Sequence, residues 1–429
     1  MSRKAHPLTR PSLPQFRRLL TRDQRALLDA AYAEATSRGV ALWLVGGAVR
    51  DLVLGRAPHD LDLALTIDPR RFATAVAAQL GAAARQRARV EAEARFGTAS
   101  LRIEAAIDGA DGVEDLRIDV ARLRREQYAT PGALPTVTTT RDIEVDLGRR
   151  DFSVNAMALR LTGERADAFI DPWHGLEDLA AHRLRVLHPR SFIDDPTRLW
   201  RGARTAAIGG LAPDEETAHL IAEGARHLGR VSGERIAAEL RFTAARGHAG
   251  RTLALAEAWG VLRGTHPALH LHETTVRALR RRTGAIPFDV FMALLVAPLE
   301  GRRSIIGRLT LPRAVAATVE DTARLLDAAH DATEPMPEAL ARLAGASEAA
   351  RLAACWLAPE RQPRLQRALA RWERTRSPLD AAALLRLGVP RGPRLGETLD
   401  GLRRARYLGT LTTAAEARRA VQQMVEAHD

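Results

Sequence analysis

The sequence has little with which to cross-link or anchor itself. One residue of 429 is a cysteine, Cys355, which excludes a disulfide framework and a zinc site built on thiolates. No stretch approaches the ~18 uncharged apolar residues of a membrane span. The best candidate, 290–299, is about half that length. The N-terminus lacks the apolar core of a signal peptide. A soluble, cytoplasmic chain without membrane contact is therefore expected. Lysine is almost absent as well: Lys4 stands beside 63 arginines. With abundant alanine, that preference is what GC-rich coding produces, so the choice of arginine is not itself informative.

The surplus of positive charge is informative. The chain holds 64 Lys and Arg against 52 Asp and Glu, a net of +12. Such an excess favours a polyanionic partner, nucleic acid first; a basic protein that binds none is the plain alternative. Residues 361–419 carry +9 of the +12. A solvated helical surface or a phosphate-binding tail would account for this, and the one-sided sign favours the tail.

At roughly 150 residues per domain the length suggests about three domains. Residues 1–20 hold five cations, three prolines and no acid, so 1–23 is expected to be a flexible basic arm. An amphipathic helix is predicted over 24–38, ending at Gly39. A buried strand is predicted over 41–45, a helix over 48–54 stopped by Gly55, and an alternating strand over 60–65. Segments 99–107 and 116–121 flank a turn over 108–115 and predict a hairpin. That acidic turn lacks the EF-hand spacing, so it is read as a turn and not a calcium loop. From about residue 175 strand signals fade, and helices are predicted over 176–182, 196–209, 213–229, 232–246 and 250–262. The fold class is α+β. A head of mixed sheet and helices spans 24–165, an all-α neck 166–262, and an all-α body and basic tail 263–429.

Three constellations carry chemistry. In the first, a strand runs into Gly46-Gly47 and straight into a helix with Arg50 and Asp51. Glycines there let a phosphate approach the backbone, and the helix start offers free N–H donors; alone, the pair means only a turn. Asp60 and Asp62 follow, two apart in an alternating strand, so both face one side while Leu61, Leu63 and Leu65 face the core. Paired carboxylates of this kind share divalent ions in two-metal phosphoryl transfer. Asp119 can add a third carboxylate from a nearby strand. The second constellation is Arg149-Arg150-Asp151-Phe152-Ser153-Val154-Asn155. Its arginines suit phosphates, and Asp151 or Asn155 can accept from a ribose hydroxyl; the plain alternative is a helix start capped by Asp151. In the third, Asp194 and Asp195 precede Pro196, and Arg198, Arg201 and Arg204 recur every three residues on one helical face. Such a face is ordinarily solvent-exposed.

In this order and spacing the three blocks resemble the class II tRNA nucleotidyltransferases and bacterial poly(A) polymerases, members of the DNA polymerase β-type nucleotidyltransferase superfamily. Segment 171–179, Asp-Pro-Trp-His-Gly-Leu-Glu-Asp-Leu, is similar to the short linker that follows the ribose motif. Segment 232–240 is similar to a block of the helical RNA-binding part. The resemblance covers roughly residues 25–260. It implies a polymerase β-like head and transfer of a nucleotide from CTP or ATP to an RNA 3′-hydroxyl, with release of pyrophosphate. It also implies two Mg²⁺ held by Asp60 and Asp62 with Asp119 as further catalytic carboxylate. Gly46, Gly47, Arg50, Arg150, Asp151, Asn155, Asp194, Asp195, Arg198, Arg201 and Arg204 become the nucleotide-binding set. The expected partners are tRNA, through its acceptor stem and 3′ end, and nucleoside triphosphates; no obligate protein partner is evident. Two positions depart from the family pattern: Asp194 stands for a usual Glu, and Thr205 for a usual aromatic.

The chemistry of the third block explains a choice of base. Cytosine and adenine each present an amino donor beside a ring-nitrogen acceptor, and guanine and uracil the reverse. An ionised Asp195 only accepts and Arg198 only donates, so the pair fits C and A and leaves unpaired groups against G and U. Full CCA addition, A-only addition, CC-only addition and poly(A) synthesis all follow from such a head. The family's CC-adding members lack a loop before the ribose motif, whereas here 128–148 fill that region. A non-catalytic RNA-binding protein conflicts with the intact aspartates. The His-Asp dipeptides at 59, 330 and 428 suggest an HD-type phosphohydrolase, but no spaced second set accompanies them.

Overall fold

Alternation over 60–65 becomes a central strand of a mixed sheet. The computed structural model describes residues 8–58, 60–106, 113–280, 282–328, 337, 340–341 and 345–426. The chain forms two compact units, Met1–Glu239 with Arg251–Thr265, and Leu240–Gly250 with His266–Asp429. His59, His330, His428, residues 1–7 of the expected arm and the core of the 108–115 turn lie outside the described residues.

The first unit holds a seven-stranded sheet. Its strands are β1 (Leu42–Val45), β2 (Leu61–Leu65), β3 (Ala88–Glu93), β4 (Thr98–Ala106), β5 (Val113–Arg122), β8 (Ala158–Arg160) and β9 (Phe169–Ile170), in the order β3-β4-β5-β2-β1-β8-β9. A separate hairpin pairs β6 (Arg124–Gln127) with β7 (Thr136–Thr139). Strands β2 and β5 run parallel and the remaining neighbours antiparallel. The period of two sorts the faces of β2. Leu61, Leu63 and Leu65 are at most 1% exposed, each adding about 1.5–3 kcal/mol by burial. On the opposite face Ala64 packs with Trp43, Val45, Leu123, Leu147, Ala156 and Ala158. Asp62 lies on this second face, near the strand's start.

The helices of the unit begin with α1 (Leu13–Leu19) and α2 (Arg22–Ser37). Here the structure departs from the expected arm. Ser12 caps α1, Phe16 is fully buried and Leu20 nearly so. The surrounding prolines and cations hide a single apolar stripe. Thr21 and Gln24 form a capping box on α2, and Gly39 closes it with φ of 63°. Helix α3 (Gly47–Val53) leaves β1 directly. The sheet takes in β9, so it extends past residue 165. Downstream lie helices Gly175–Ala180, Arg198–Gly209, Glu215–Gly224 and Val261–Thr265, with Gly233–Ala245 and Ala249–Ala258 divided between the two units. Two two-residue strands, Arg183–Leu184 and Ala212–Pro213, interrupt the helical part.

The second unit is helical throughout its described residues. The short apolar run becomes helix Phe288–Val296, whose residues from Val290 onward are at most 1% exposed; it is a core helix. Among the described residues no helix is long and apolar enough to cross a membrane. Toward the end, Leu384, Leu402, Ala417 and Val421 form a small core. Some of the tail's arginine is structural. Arg403 lies 4.3 Å from the Trp372 ring centre and Arg371 4.6 Å from that of Tyr407, while Arg386, Arg391, Arg418 and Arg419 are exposed.

Candidate active site

The floor of the candidate site is the second face of the sheet. Parallel pairing sets Asp62 directly opposite Asp119, and Ser100 of β4 opposite Asp119 on the other side. The same face carries Glu91 and Arg117. Together with Glu93, Arg102, Arg150 and Arg201 they line a cavity of about 560 Å³. Asp62 and Asp119 are half-buried, and Asp60 is half-buried just before the strand. The Arg117 Nε donates to Asp119 Oδ1 at 2.8 Å and to Ser100 Oγ at 3.1 Å. Among the described residues no three His, Cys, Asp or Glu side chains converge as a metal cluster. Two opposed carboxylates nonetheless suit Mg²⁺, which takes one or two carboxylates and completes its shell with water and substrate phosphate.

The glycine turn borders this cavity. Gly46 has φ of 70°, and a Cβ there would sit 2.6 Å from Arg150 Nη1. The positive φ is what requires glycine here, and the Arg150 guanidinium lies across the space its missing side chain leaves. Arg50 is 7% exposed. Its Nη1 donates to Asn155 Oδ1 at 2.8 Å, and its Nη2 to Asp51 Oδ1 at 2.8 Å. Arg50 and Asn155, expected at the nucleotide, therefore brace one another and tie α3 to the ribose motif.

The second block is a charged network. Arg149 reaches Glu126 Oε1 at 2.8 Å and Asp146 Oδ1 at 2.9 Å. Arg150 reaches Asp146 Oδ2 at 3.3 Å, and Arg124 reaches Glu126 at 2.9 Å. Burial alone would raise the Asp146 and Glu126 carboxyls, but the surrounding arginines outweigh it and hold both below the usual range. Asp151 is 2% exposed. Its Oδ1 accepts from the Phe152 amide and Asn155 Nδ2 at 2.9 and 3.1 Å, and its Oδ2 pairs with Arg201 Nε at 2.8 Å. Burial would raise this carboxyl too; Arg201 and its hydrogen bonds hold it low.

The third block is not a solvated face. Arg198 is 3% exposed, Arg201 is paired with Asp151, and Arg204 with Glu239 at 2.8 Å. Arg198 donates to Ser191 Oγ and to the Arg149 carbonyl, both at 2.8 Å. Asp195 Oδ1 accepts from the Thr197 amide at 3.1 Å, from its hydroxyl at 2.6 Å, and from Arg235 Nη2 at 2.8 Å. Asp194 pairs with Arg190 at 3.1 Å. The β6–β7 connection docks beside them: the Gly132 amide meets the Ile193 and Asp194 carbonyls, and Arg235 Nη1 donates to the Gly132 carbonyl at 2.8 Å. The linker block serves packing and capping. Asp171 accepts from the Gly175 and Leu176 amides at 2.7 and 3.0 Å, and a Cβ on Gly175 would fall 2.3 Å from the Ser153 carbonyl.

Comparison with known proteins gives this arrangement a family. The model of the Poly A polymerase head domain matches residues 42–185. The A-adding tRNA nucleotidyltransferase of Halalkalibacterium halodurans is 39% identical over 227 residues, 52% of this chain but only 49% of that protein; the matched part is about half its length. The CC-adding tRNA nucleotidyltransferase of Deinococcus radiodurans is 33% identical over 385 residues, covering 89% of this chain and 88% of that protein. The chain belongs to the class II tRNA nucleotidyltransferase and poly(A) polymerase family. Its fold also matches the Thermotoga maritima CCA-adding enzyme complexed with tRNA, with a TM-score of 0.66 at 21% identity over 97% of this chain and 99% of that one.

Within this nucleotidyltransferase head, sequence reading overlooked several groups. Glu91, Ser100, Arg102 and Arg117 line the cavity, and Glu126, Asp146 and Arg235 brace its neighbours. Arg117 was findable, since it stands two residues before Asp119 on an alternating strand. Asp146 was findable too, standing three and four residues before Arg149 and Arg150, whereas the Glu126–Arg149 and Arg235–Asp195 contacts span 23 and 40 residues and left no local signal.

Proposed function

We propose that the chain transfers nucleotides from CTP or ATP to the 3′ end of tRNA, releasing pyrophosphate. The observation that carries this reading is the Asp62–Asp119 pair, held in register on the floor of a cavity bordered by Arg150, Arg201 and the Gly46-Gly47 turn. Asp60 and Asp62, with Asp119, would hold Mg²⁺. The metal would supply Lewis-acid stabilisation of the charge that develops on the transferring and leaving phosphate oxygens. The chain's own residues do the rest. Gly46 and Gly47 let the triphosphate approach the backbone. Arg150 lies over that turn and receives phosphate charge. Asp151 acts through Arg201, whose guanidinium it fixes at the cavity wall. Asp195 and Arg198 read the base, accepting from its amino group and donating to its ring nitrogen. The exposed arginines of the tail bind the tRNA backbone. The cytoplasmic placement expected from the sequence accords with a tRNA substrate.

A-only addition is the second reading. The name of the Halalkalibacterium relative favours it, and segment 128–148 fills the region where, by the resemblance, strict CC-adding members lack a flexible loop. The near full-length Deinococcus relative is named CC-adding, which keeps C within the substrate set. Incorporation of labelled CTP or ATP into tRNA tests the proposal, with Asp62→Ala as control. Failure of both nucleotides with folded protein would sink it, as would undiminished turnover by the variant.

A further inference from the structure

We propose that His188 is a positioning residue for base selection, its neutral imidazole holding the Arg198 guanidinium so that the free N–H groups face the base. The inference rests on Arg198 being a base reader, the reading proposed above. A guanidinium has five N–H donors and no acceptor. Nη1 donates to Ser191 Oγ at 2.8 Å and faces His188 Nε2 at 3.4 Å; Nη2 donates to the Arg149 carbonyl at 2.8 Å. The Tyr128 ring centre lies 6.0 Å from the guanidinium carbon. That leaves the Nε–H and one Nη2–H without a protein partner among the described residues. These are the donors available to a nucleobase.

Because arginine cannot accept, His188 Nε2 must present its lone pair, and the imidazole proton must sit on Nδ1. Protonation would remove that lone pair and set a second cation 3.4 Å from Arg198. The charged groups acting on His188 are Arg198, Asp194 and Arg190. Asp194, paired with Arg190 at 3.1 Å, pulls the imidazole the other way, but less than Arg198 pushes it down. Burial and then Arg198 push the imidazole below its usual range, which keeps it neutral at pH 7. As pH falls, His188 gains a proton and the clamp on Arg198 opens. Selection of C and A over U and G should then weaken, while steps common to all nucleotides cancel in the ratio.

The test is single-turnover incorporation of each of the four nucleotides into tRNA from pH 5 to pH 8. The proteins are wild type, His188→Gln, His188→Leu and Arg198→Ala, each checked for folding by circular dichroism. Wild type should lose about tenfold in the ratio of correct to incorrect nucleotides toward pH 5, the worth of one hydrogen bond to a charged group. His188→Gln, whose amide oxygen accepts but does not titrate here, should keep the wild-type ratio at pH 7 and hold it at pH 5. His188→Leu should show the low ratio at every pH. A wild-type ratio that is flat with pH would overturn the proposal. A His188→Gln ratio that falls with pH as wild type does would also overturn it, and that comparison decides if His188→Leu fails to fold. An Arg198→Ala enzyme with undiminished selectivity would instead refute base reading by Arg198, whatever His188 does.

Discussion

Removing the Asp151 carboxylate should unfasten the wall of the cavity, and the size of the effect can be worked from its hydrogen bonds. Asp151 is 2% exposed and satisfies the Phe152 amide, Asn155 Nδ2 and Arg201 Nε. Asp151→Ala orphans all three. Breaking a buried ion pair from one side costs roughly 3–5 kcal/mol. The Arg201 side chain is 43% exposed, so water can rehydrate that partner, and the low end applies, about 3 kcal/mol. For a unit of this size that is a fall in Tm of roughly 6–12 °C. The assay is a thermal melt of the full chain, following the transition that contains the sheet. Arg201→Ala in the Asp151→Ala background should cost little more, giving a coupling of about 1–2 kcal/mol in the double-mutant cycle. A loss below about 1 kcal/mol, or additive single effects, would refute the reasoning.

Three further outcomes follow from the same geometry. Asp62→Ala should abolish incorporation while leaving tRNA affinity, measured by filter binding, within about twofold, as expected if the tail and not the cavity floor holds the RNA backbone. Neutralising Arg386, Arg391, Arg418 and Arg419 together should weaken tRNA binding and reduce its salt slope by about 0.7–0.9 for each phosphate no longer neutralised; an unchanged slope would mark these residues as solvated surface. The Asp151, Asp146 and Glu126 carboxyls have folded values below their unfolded ones, so their stabilisation is present above about pH 4 and is lost as pH falls through the folded values. Melts from pH 6 to pH 3 should therefore steepen below about pH 4, and less so in Glu126→Gln.

Much of the head was legible because its signals are local. The alternation of Leu61, Leu63 and Leu65 around Asp62 assigns both a strand and the face on which the carboxylate lies. Glycines 39, 46 and 55 mark turns because each takes positive φ. The buried face of α1 was not legible: Phe16 sits among prolines and arginines, which read as disorder. The arginine face of Arg198, Arg201 and Arg204 read as solvent because its counter-charges, Asp151 and Glu239, lie far away in sequence. The mutual contact of Arg50 and Asn155, 105 residues apart, was hidden for the same reason. Residue type marks them for a nucleotide, whereas the fold turns them toward each other.

The central claim is that a protein surface selects C and A for the 3′ end of tRNA. It is tested most directly by offering tRNAs ending at the discriminator base, after one C, and after two Cs, each with a single nucleoside triphosphate. Products are read at single-nucleotide resolution. The account predicts extension by CTP or ATP in the order set by the end, little extension by UTP or GTP, and termination once the CCA end is complete. Comparable incorporation of all four nucleotides, or untemplated growth of a long adenosine tail, would contradict it.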